Sequence, residues 1–153
     1  MKEPMPTTYS EIADVREWLK MMGWRVPTEP GHGTKARLRD RLRLLQEEVN
    51  ELKRAVEEQD LVGQADGVVD VTWVALSIAV LLGLPWYETW NEVARSNWAK
   101  DPGATARSAR DAVKPSGWKK PDLAGVLERA GYRRTAWTID ETDEVEEGRC
   151  REF

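Results

Sequence analysis

The chain has 153 residues, of which 33% are charged, and a formal net charge of −4 at pH 7. This length suits one domain with its own core, and the negative charge argues against non-specific binding to nucleic acid or anionic membranes. The single cysteine, Cys150, excludes an intramolecular disulfide and a cysteine-based zinc site. The N-terminal residues contain no apolar segment of the signal-peptide kind. We therefore expect a soluble, cytoplasmic protein with neither a membrane nor a nucleic-acid partner.

The first two predicted helices are recognised by their apolar periodicity. In the first helix, five apolar residues recur at helical spacing before Gly23, which is a natural stop: Ile12, Val15, Trp18, Leu19 and Met22. The second helix is expected from about Ala36 to Glu58. Its apolar residues step alternately by four and three, which predicts one buried stripe: Leu38, Leu42, Leu45, Val49, Leu52 and Val56.

The third predicted helix is the most apolar of the chain. It is expected from about Gln64 to Leu82, with Gly83 as its C-cap. Beyond Asp70 it is apolar on nearly all sides, which predicts burial on nearly all sides by other helices or by a second subunit. Its apolar run, residues 71–84, is shorter than the roughly 20 residues that span a bilayer.

The last third of the chain changes character. A fourth helix is expected from Pro85, which suits a first helical turn, to about Ala99. After Lys100 the segment DPGATARSARDAVKPSGWKKPD predicts a loop or an arm, and Pro121-Asp122 opens a short helix, LAGVLERA. No strand-like alternation longer than a few residues is present. The sequence therefore predicts an all-α fold of four main helices with a short C-terminal helix.

The chain divides into a domain and a tail. We place the domain at residues 1–131, with the arm at 101–131 as its C-terminal part. The tail, residues 132–153, has six acidic residues between 140 and 147. Such a run of like charges is expected to be mobile.

Five carboxylates lie on or beside the apolar stripes of helices two and three: Glu47, Glu48, Glu51, Asp66 and Asp70. Residues three and four apart are neighbours on a helix, and the short connection predicts an antiparallel hairpin that brings both groups together. Like charges packed this closely need neutralisation, and oxygen ligands without His or Cys suit Mg²⁺ or Mn²⁺. The pattern indicates a metal site and phosphoanhydride chemistry. The alternative is a solvated helix face, because EExxE also occurs on exposed helices without function.

Two groups of basic residues accompany the carboxylates. Arg95, Asn97 and Lys100 lie at the end of the fourth helix, where cations suit the helix dipole. The functional interpretation is that Asn97 and Lys100 contact the phosphates or sugar of a substrate. The basic run KARLRDRLR, residues 35–43, is more typical of a solvated face, with attraction of a triphosphate as the second interpretation.

The stretch from about Val15 to Leu123 resembles the MazG-like all-α nucleotide pyrophosphohydrolases, and within them the phosphoribosyl-ATP pyrophosphohydrolase-like branch. Three blocks carry the resemblance in the family's order: LRLLQEEVNELKRAV, QADGVVDVTWVALSIAVLLGLPWYETWNEVARSNWAK and KPSGWKKPDL. The resemblance implies a helical bundle that assembles as a homodimer or homotetramer. It also implies hydrolysis of the α–β phosphoanhydride of nucleoside triphosphates, giving monophosphate and pyrophosphate, with two or three Mg²⁺ or Mn²⁺ ions per site.

The resemblance also implies roles for individual residues. Four carboxylates match metal ligands: Glu48, Glu51, Asp66 and Asp70. Glu47 and Glu48 match catalytic positions, and Glu47 would orient or deprotonate the attacking water. Asn97 and Lys100, with Arg95 beside them, match the phosphate-contacting end of the fourth helix. Lys114 lies in the KPxGW arm, which is expected to fold over the site, either its own or that of a neighbouring subunit.

The finest level of resemblance is to the MazZ type of phage enzymes. It implies dGTP and dATP as substrates, in purine nucleotide metabolism for 2-aminoadenine DNA in the host cytoplasm. One alternative is the same chemistry on phosphoribosyl-ATP, dUTP or a broad range of nucleotides. A second alternative is a non-catalytic helical interaction module, which the retention of all five acids argues against. No residue that we can identify recognises the base or the sugar.

Overall fold

The computed structural model describes residues 10–133, so the predicted tail lies outside the described residues except for its first two. Within that range, five helices and two short strands follow in chain order: α1 (Glu11–Met21), α2 (Lys35–Glu57), α3 (Leu61–Leu81), α4 (Trp86–Trp98), β1 (Asp101–Gly103), β2 (Asp111–Val113) and α5 (Leu123–Arg129). The predicted all-α fold is confirmed, with one small hairpin added.

Short polar side chains define where three of the helices begin. Ser10, Asp60 and Asp122 each accept a hydrogen bond from a backbone N–H in the first turn, at 3.3, 3.1 and 3.0 Å. Such caps satisfy donors that have no partner inside the helix. The cap at Asp60 starts α3 at Leu61, earlier than the start near Gln64 that periodicity alone predicts.

The core lies where α1 packs against the C-terminal half of α3. Its centre consists of seven buried side chains: Ile12, Val15, Leu19, Leu76, Ala79, Val80 and Leu81. At its edge the rings of Trp18 and Trp73 meet edge to face, with centroids 5.8 Å apart, a favourable geometry for aromatic pairs. This half of α3 is therefore buried as the sequence predicts.

The loop between α1 and α2 returns across the C-terminal end of α3. The backbone N–H of Gly31 donates to the carbonyl of Leu82 at 3.0 Å. Gly83 follows with a φ of 62°, and a Cβ at this position would collide with the backbone carbonyl of Glu29. Both the left-handed conformation and the close approach favour glycine, as in a common type of helix C-cap.

Among the described helices, α3 alone is long and apolar enough to cross a bilayer by length and composition. It extends over 21 residues, from Leu61 to Leu81, and is therefore longer than the apolar run at 71–84. The core helix of a soluble protein meets the same criteria. Because α3 packs against both α1 and α2, we interpret it as a core helix.

The prediction of one buried stripe on α2 is wrong for the single chain. Leu38, Leu45 and Leu52 are half-buried, whereas three other members of the stripe are 55, 40 and 54% exposed: Leu42, Val49 and Val56. The physical reason is that α2 packs chiefly against one helix, α3. One neighbour covers one side of the stripe and leaves the other side in solvent.

The first half of α3, for which the sequence predicted no burial, is mostly exposed. Four apolar side chains there are exposed by 76, 81, 54 and 60%: Leu61, Val62, Val68 and Val69. Most of the buried residues of α3 lie from Val74 onwards, because α1 covers the C-terminal half of α3 and not its beginning. The prediction of burial concerned the residues beyond Asp70, and there only Thr72 and Ala75 of α3 are exposed.

The arm contains the hairpin that the sequence did not indicate. β1 and β2 pair antiparallel, with Asp101 opposite Val113 and Gly103 opposite Asp111. Strands of three residues are too short to show alternation, which is why no pattern predicted them. Inside the turn, the side chains of Thr105 and Arg107 both donate to Asp111. These bonds, the one from Thr105 first, lower the pKa of the Asp111 carboxyl to about 2.

Candidate active site

The helices α2 and α3 form an antiparallel hairpin with a very close approach. A Cβ placed on Gly67 would lie 3.0 Å from the Cβ of Leu52, and one on Gly63 would lie 3.1 Å from the Cβ of Ala55. Between these contacts, the side-chain amide of Gln64 donates to the Ala55 carbonyl at 3.2 Å. The absence of side chains at both glycines lets the two backbones approach each other and sets the register of the pair.

One helical turn beyond the contact of Gly67 with Leu52, the same pairing of α2 and α3 brings the carboxylates together. Glu48 is half-buried, and burial raises the pKa of its carboxyl. The negative charges of four neighbouring carboxylates raise that pKa further, in decreasing order Asp70, Glu51, Glu47 and Asp66. A negative charge raises the pKa of a carboxyl in this way only when the two groups are close together. All five predicted acids therefore gather around Glu48, although their individual roles stay predictions.

The carboxylate group suits a divalent cation by its chemistry. It consists of oxygen donors with a large excess of negative charge, which hard cations such as Mg²⁺ and Mn²⁺ prefer. As the side chains stand, no three Asp, Glu, His or Cys residues between 10 and 133 are close enough together to hold a metal ion. The residues present fit such a cation, and side-chain rotation at the exposed Glu47 and Glu51 is the movement that ligation would require.

The end of α4 forms a second group of polar residues. The ammonium of Lys100 donates to the side-chain carbonyl of Asn97 at 2.8 Å. Lys100 and Lys114 both lie against the ring of Trp118, with ammonium-to-centroid distances of 5.7 and 4.6 Å. Trp118 is itself held by its indole N–H, which donates to the Ser96 carbonyl at 2.8 Å. The arm thus folds back onto the end of α4 and places Lys114 beside Lys100.

Arg95, the third predicted substrate contact, is occupied by structural partners. Its guanidinium pairs with Glu92 at 2.6 Å and also donates to the Lys120 carbonyl at 3.3 Å. The same Glu92 carboxylate accepts the backbone N–H of Asp122 at 2.8 Å. The bond from Arg95, followed by that from Asp122, lowers the pKa of Glu92 to about 2. Arg95 therefore helps join α4 to the start of α5, and its contact with substrate stays a prediction.

Sequence reasoning missed three residues that position this site. Gly63 and Gly67 form a G-x-x-x-G pattern inside an apolar helix, a spacing that permits close helix packing and was visible in the sequence. Trp118 belongs to the KPxGW motif of the arm, but the contact that it makes carried no comparable signal, because its bond to α4 spans 22 residues of chain. The spacing of a motif indicates which residues are neighbours on one helix. The place where an arm folds back, by contrast, depends on the tertiary structure.

A comparison with protein-family models gives one match, to the phosphoribosyl-ATP pyrophosphohydrolase family, over residues 15–97. That range contains α2, α3 and nearly all of α4, and with them the carboxylate group and Asn97. Among curated proteins, none matches this chain. The family match covers more than half of the sequence and includes the elements that build the site. The chain therefore belongs to the phosphoribosyl-ATP pyrophosphohydrolase family and is a nucleotide pyrophosphohydrolase.

Proposed function

We propose that this protein hydrolyses the α–β phosphoanhydride of a purine nucleoside triphosphate, releasing the monophosphate and pyrophosphate. The observation that carries the proposal is the group of five carboxylates around Glu48. Four neighbouring negative charges around one half-buried carboxylate are costly for a structural helix pair. They are useful where cations and a polyphosphate must be bound.

Enzymes of this family generally depend on divalent metal ions, and we propose Mg²⁺ or Mn²⁺, two or three per site. Four carboxylates would hold these ions: Glu48, Glu51, Asp66 and Asp70. When bound, such ions neutralise phosphate charge and lower the pKa of a coordinated water. The side chains of this chain provide the remaining functions.

Glu47 is exposed at the edge of the carboxylate group and is proposed to orient the attacking water and accept its proton. Lys100 and Lys114, which both lie against the ring of Trp118, would bind the pyrophosphate leaving group. The side-chain carbonyl of Asn97 already accepts a hydrogen bond from Lys100. It would fix the position of Lys100 and contact the substrate directly.

We propose dGTP, and secondarily dATP, as the substrate, within phage purine metabolism for 2-aminoadenine DNA in the host cytoplasm. This proposal rests on the overall resemblance of the sequence to MazZ-type enzymes. Phosphoribosyl-ATP is the second candidate, and the family match favours it. Both substrates present the same bond to the same carboxylates, so the groups around the base must distinguish them.

The test is a panel of all ribo- and deoxyribonucleoside triphosphates together with phosphoribosyl-ATP, each with Mg²⁺ or Mn²⁺. Products are separated by ion-exchange chromatography. Monophosphate and pyrophosphate from dGTP and dATP support the proposal, whereas release of a diphosphate and orthophosphate contradicts α–β cleavage. Preferential hydrolysis of phosphoribosyl-ATP, or of pyrimidine nucleotides, keeps the chemistry and rejects the genome-modification role.

We further propose that the enzyme works as a homodimer or homotetramer. The support is the exposed apolar surface of one chain, made of residues on α2 and on the first half of α3: Leu42, Val49, Val56, Leu61, Val62, Val68 and Val69. Exposed apolar side chains on two neighbouring helices are a feature that protein interfaces use. Light scattering coupled to size-exclusion chromatography tests this: Val49→Asp and Val69→Asp should lower the measured mass, and a wild-type mass of one chain contradicts the proposal.

A further inference from the structure

The N-terminal part of α2 carries an unusual concentration of positive charge. Residues 35–43 include five basic side chains and one acid, Asp40. Lys35, Arg39 and Arg43 are exposed and follow one another at intervals of four, so they lie along one stripe of the helix. We call residues 35–43 the basic segment of α2.

Two further basic residues of this segment are held in place by stacking. The guanidinium groups of Arg37 and Arg41 lie over the ring of Trp24, at 5.5 and 4.7 Å from its centroid. In addition, the first turn of α2 contains no acid, and the side chain of its N-cap, Thr34, does not cap a backbone N–H of the helix. The partial positive charge of the helix N-terminus therefore adds to that of the side chains.

The described chain ends beside this basic segment. The hydroxyl of Tyr132 lies 3.2 Å from Nε2 of His32, and the two rings meet edge to face at 5.8 Å. A Cβ on Gly131 would lie 3.5 Å from the carboxyl carbon of Glu29. Residues 131–132 thus pack on the loop that leads through Thr34 directly into α2.

The segment that follows has the complementary charge. Residues 140–147 contain six acids and no basic residue. An extended chain covers about 3.3 Å per residue, so the residues after Arg133 bring Asp140 up to ~23 Å away. The basic segment rises only ~12 Å along the α2 axis. The acidic residues can therefore reach its whole length from a starting point that lies beside it.

We propose that the acidic segment 140–147 docks on the basic segment of α2 in the same chain. The docked segment covers the exposed stripe of Lys35, Arg39 and Arg43 and extends towards the cavity of about 400 Å³ at the start of α2, which Arg25 and Arg37 help to line. The opposite charges of the two segments and the short connection favour this occupant over a separate molecule, because a tethered segment has a high effective concentration.

The single cysteine of the chain, Cys150, allows a direct test in the full-length protein. A nitroxide spin label on Cys150 should broaden the backbone amide NMR signals of residues 35–43 selectively. The broadening should disappear in about 1 M salt, where the screening length falls to about 3 Å. It should also disappear in Arg39→Glu/Arg43→Glu, and it should persist in the matched control Lys53→Glu/Arg54→Glu, which changes the same charge on the other end of α2.

Two further samples complete the test. Replacing the six acids by Asn and Gln changes none of the described residues and should abolish the broadening, even if the α2 variants prove unstable. A mixture of spin-labelled, unenriched chains with ¹⁵N-labelled, unmodified chains should show no broadening. Broadening in the mixture, broadening centred away from residues 35–43, or no broadening at low salt would each overturn the proposal.

Discussion

The indole N–H of Trp118 donates a hydrogen bond of 2.8 Å to the backbone carbonyl of Ser96. Ser96 is buried, with 2% exposure, and immediately precedes Asn97 near the end of α4. This one bond ties the arm to the helix end that carries the predicted phosphate contacts. Lys100 from α4 and Lys114 from the arm are then brought against the same ring.

Replacing Trp118 by Phe keeps an aromatic ring but removes the N–H donor. Because the carbonyl of the buried Ser96 then loses its partner, the free energy of unfolding should fall by about 1–3 kcal/mol. The position of Lys114 also loosens, so we expect kcat/KM to fall by up to about tenfold, which corresponds to ~1.4 kcal/mol. Denaturant unfolding and steady-state kinetics measure both effects. Trp98→Phe is the matched control, because that indole is 89% exposed; an equal effect of both variants would contradict the role of the Trp118 bond.

The carboxylates at 51 and 70 are predicted to be essential for turnover. Glu51→Gln and Asp70→Asn preserve the shape of the side chain and remove its charge, so the protein should still fold. We expect kcat/KM to fall at least about 100-fold. Groups that only support the metal ligands cost up to about this factor when they are mutated, and a ligand itself should cost no less. Glu57→Gln is the control: Glu57 lies on the same helix, is exposed and pairs with Lys53 at 3.8 Å. Activity retained in both site variants at saturating Mg²⁺ would reject the assignment.

Gly67 is predicted to be intolerant of any side chain. In Gly67→Ala the new Cβ would lie 3.0 Å from the Cβ and 3.1 Å from the Cα of Leu52, so α2 and α3 must separate. Overpacking of this kind costs about 1–3 kcal/mol, which exceeds the gain of ~0.5–1 kcal/mol from placing Ala in a helix. Thermal unfolding should show a lower Tm. Gly31→Ala, where nothing lies within 4 Å, should leave it unchanged.

Activity of Gly67→Ala provides a separate readout. Because the contact at Leu52 sets the distance between the two carboxylate-bearing helices, the variant should also lose affinity for the activating metal. A titration of activity with Mg²⁺ would then shift to higher concentrations. A variant with a normal Tm and a normal metal titration would show that this close approach does not position the site.

The ion pair of Glu92 with Arg95 is predicted to make stability depend on acid pH. The folded state lowers the pKa of Glu92 from 4.5 to about 2, so the unfolded chain binds the proton more readily. The stabilisation is therefore present above pH 4.5 and is lost as the pH falls towards about 2. Thermal unfolding of wild type and Glu92→Gln should give a Tm difference that is constant near neutral pH and shrinks over this acid range. A difference independent of pH would contradict the prediction.

Local sequence was sufficient for the helices and for the composition of the site. Apolar periodicity gave the type and approximate ends of α1 to α5, and the errors were confined to a few residues at caps such as Asp60. The meeting of the carboxylates also followed from local rules. Their i, i+4 spacing places them on one face of each helix, and a three-residue connection leaves the two helices little freedom except to pack antiparallel. The amide of Asn97 and the ammonium of Lys100 lie within one helical turn of each other because the two residues are three apart in the sequence.

Tertiary structure decided which apolar faces are covered. Periodicity identifies an apolar stripe but not the neighbour that covers it. The sequence therefore predicted burial equally for Leu42 and Leu45, whereas in the structure only Leu45 is half-buried. The return of the arm was also beyond local rules, because the bond from Trp118 to Ser96 joins residues 22 apart whose meeting depends on the whole path between them. Short-range spacing determined which chemical groups lie on which helix. Long-range contacts decided which of these groups meet, and such contacts cannot be predicted from spacing because they compete with chain entropy and with every alternative packing.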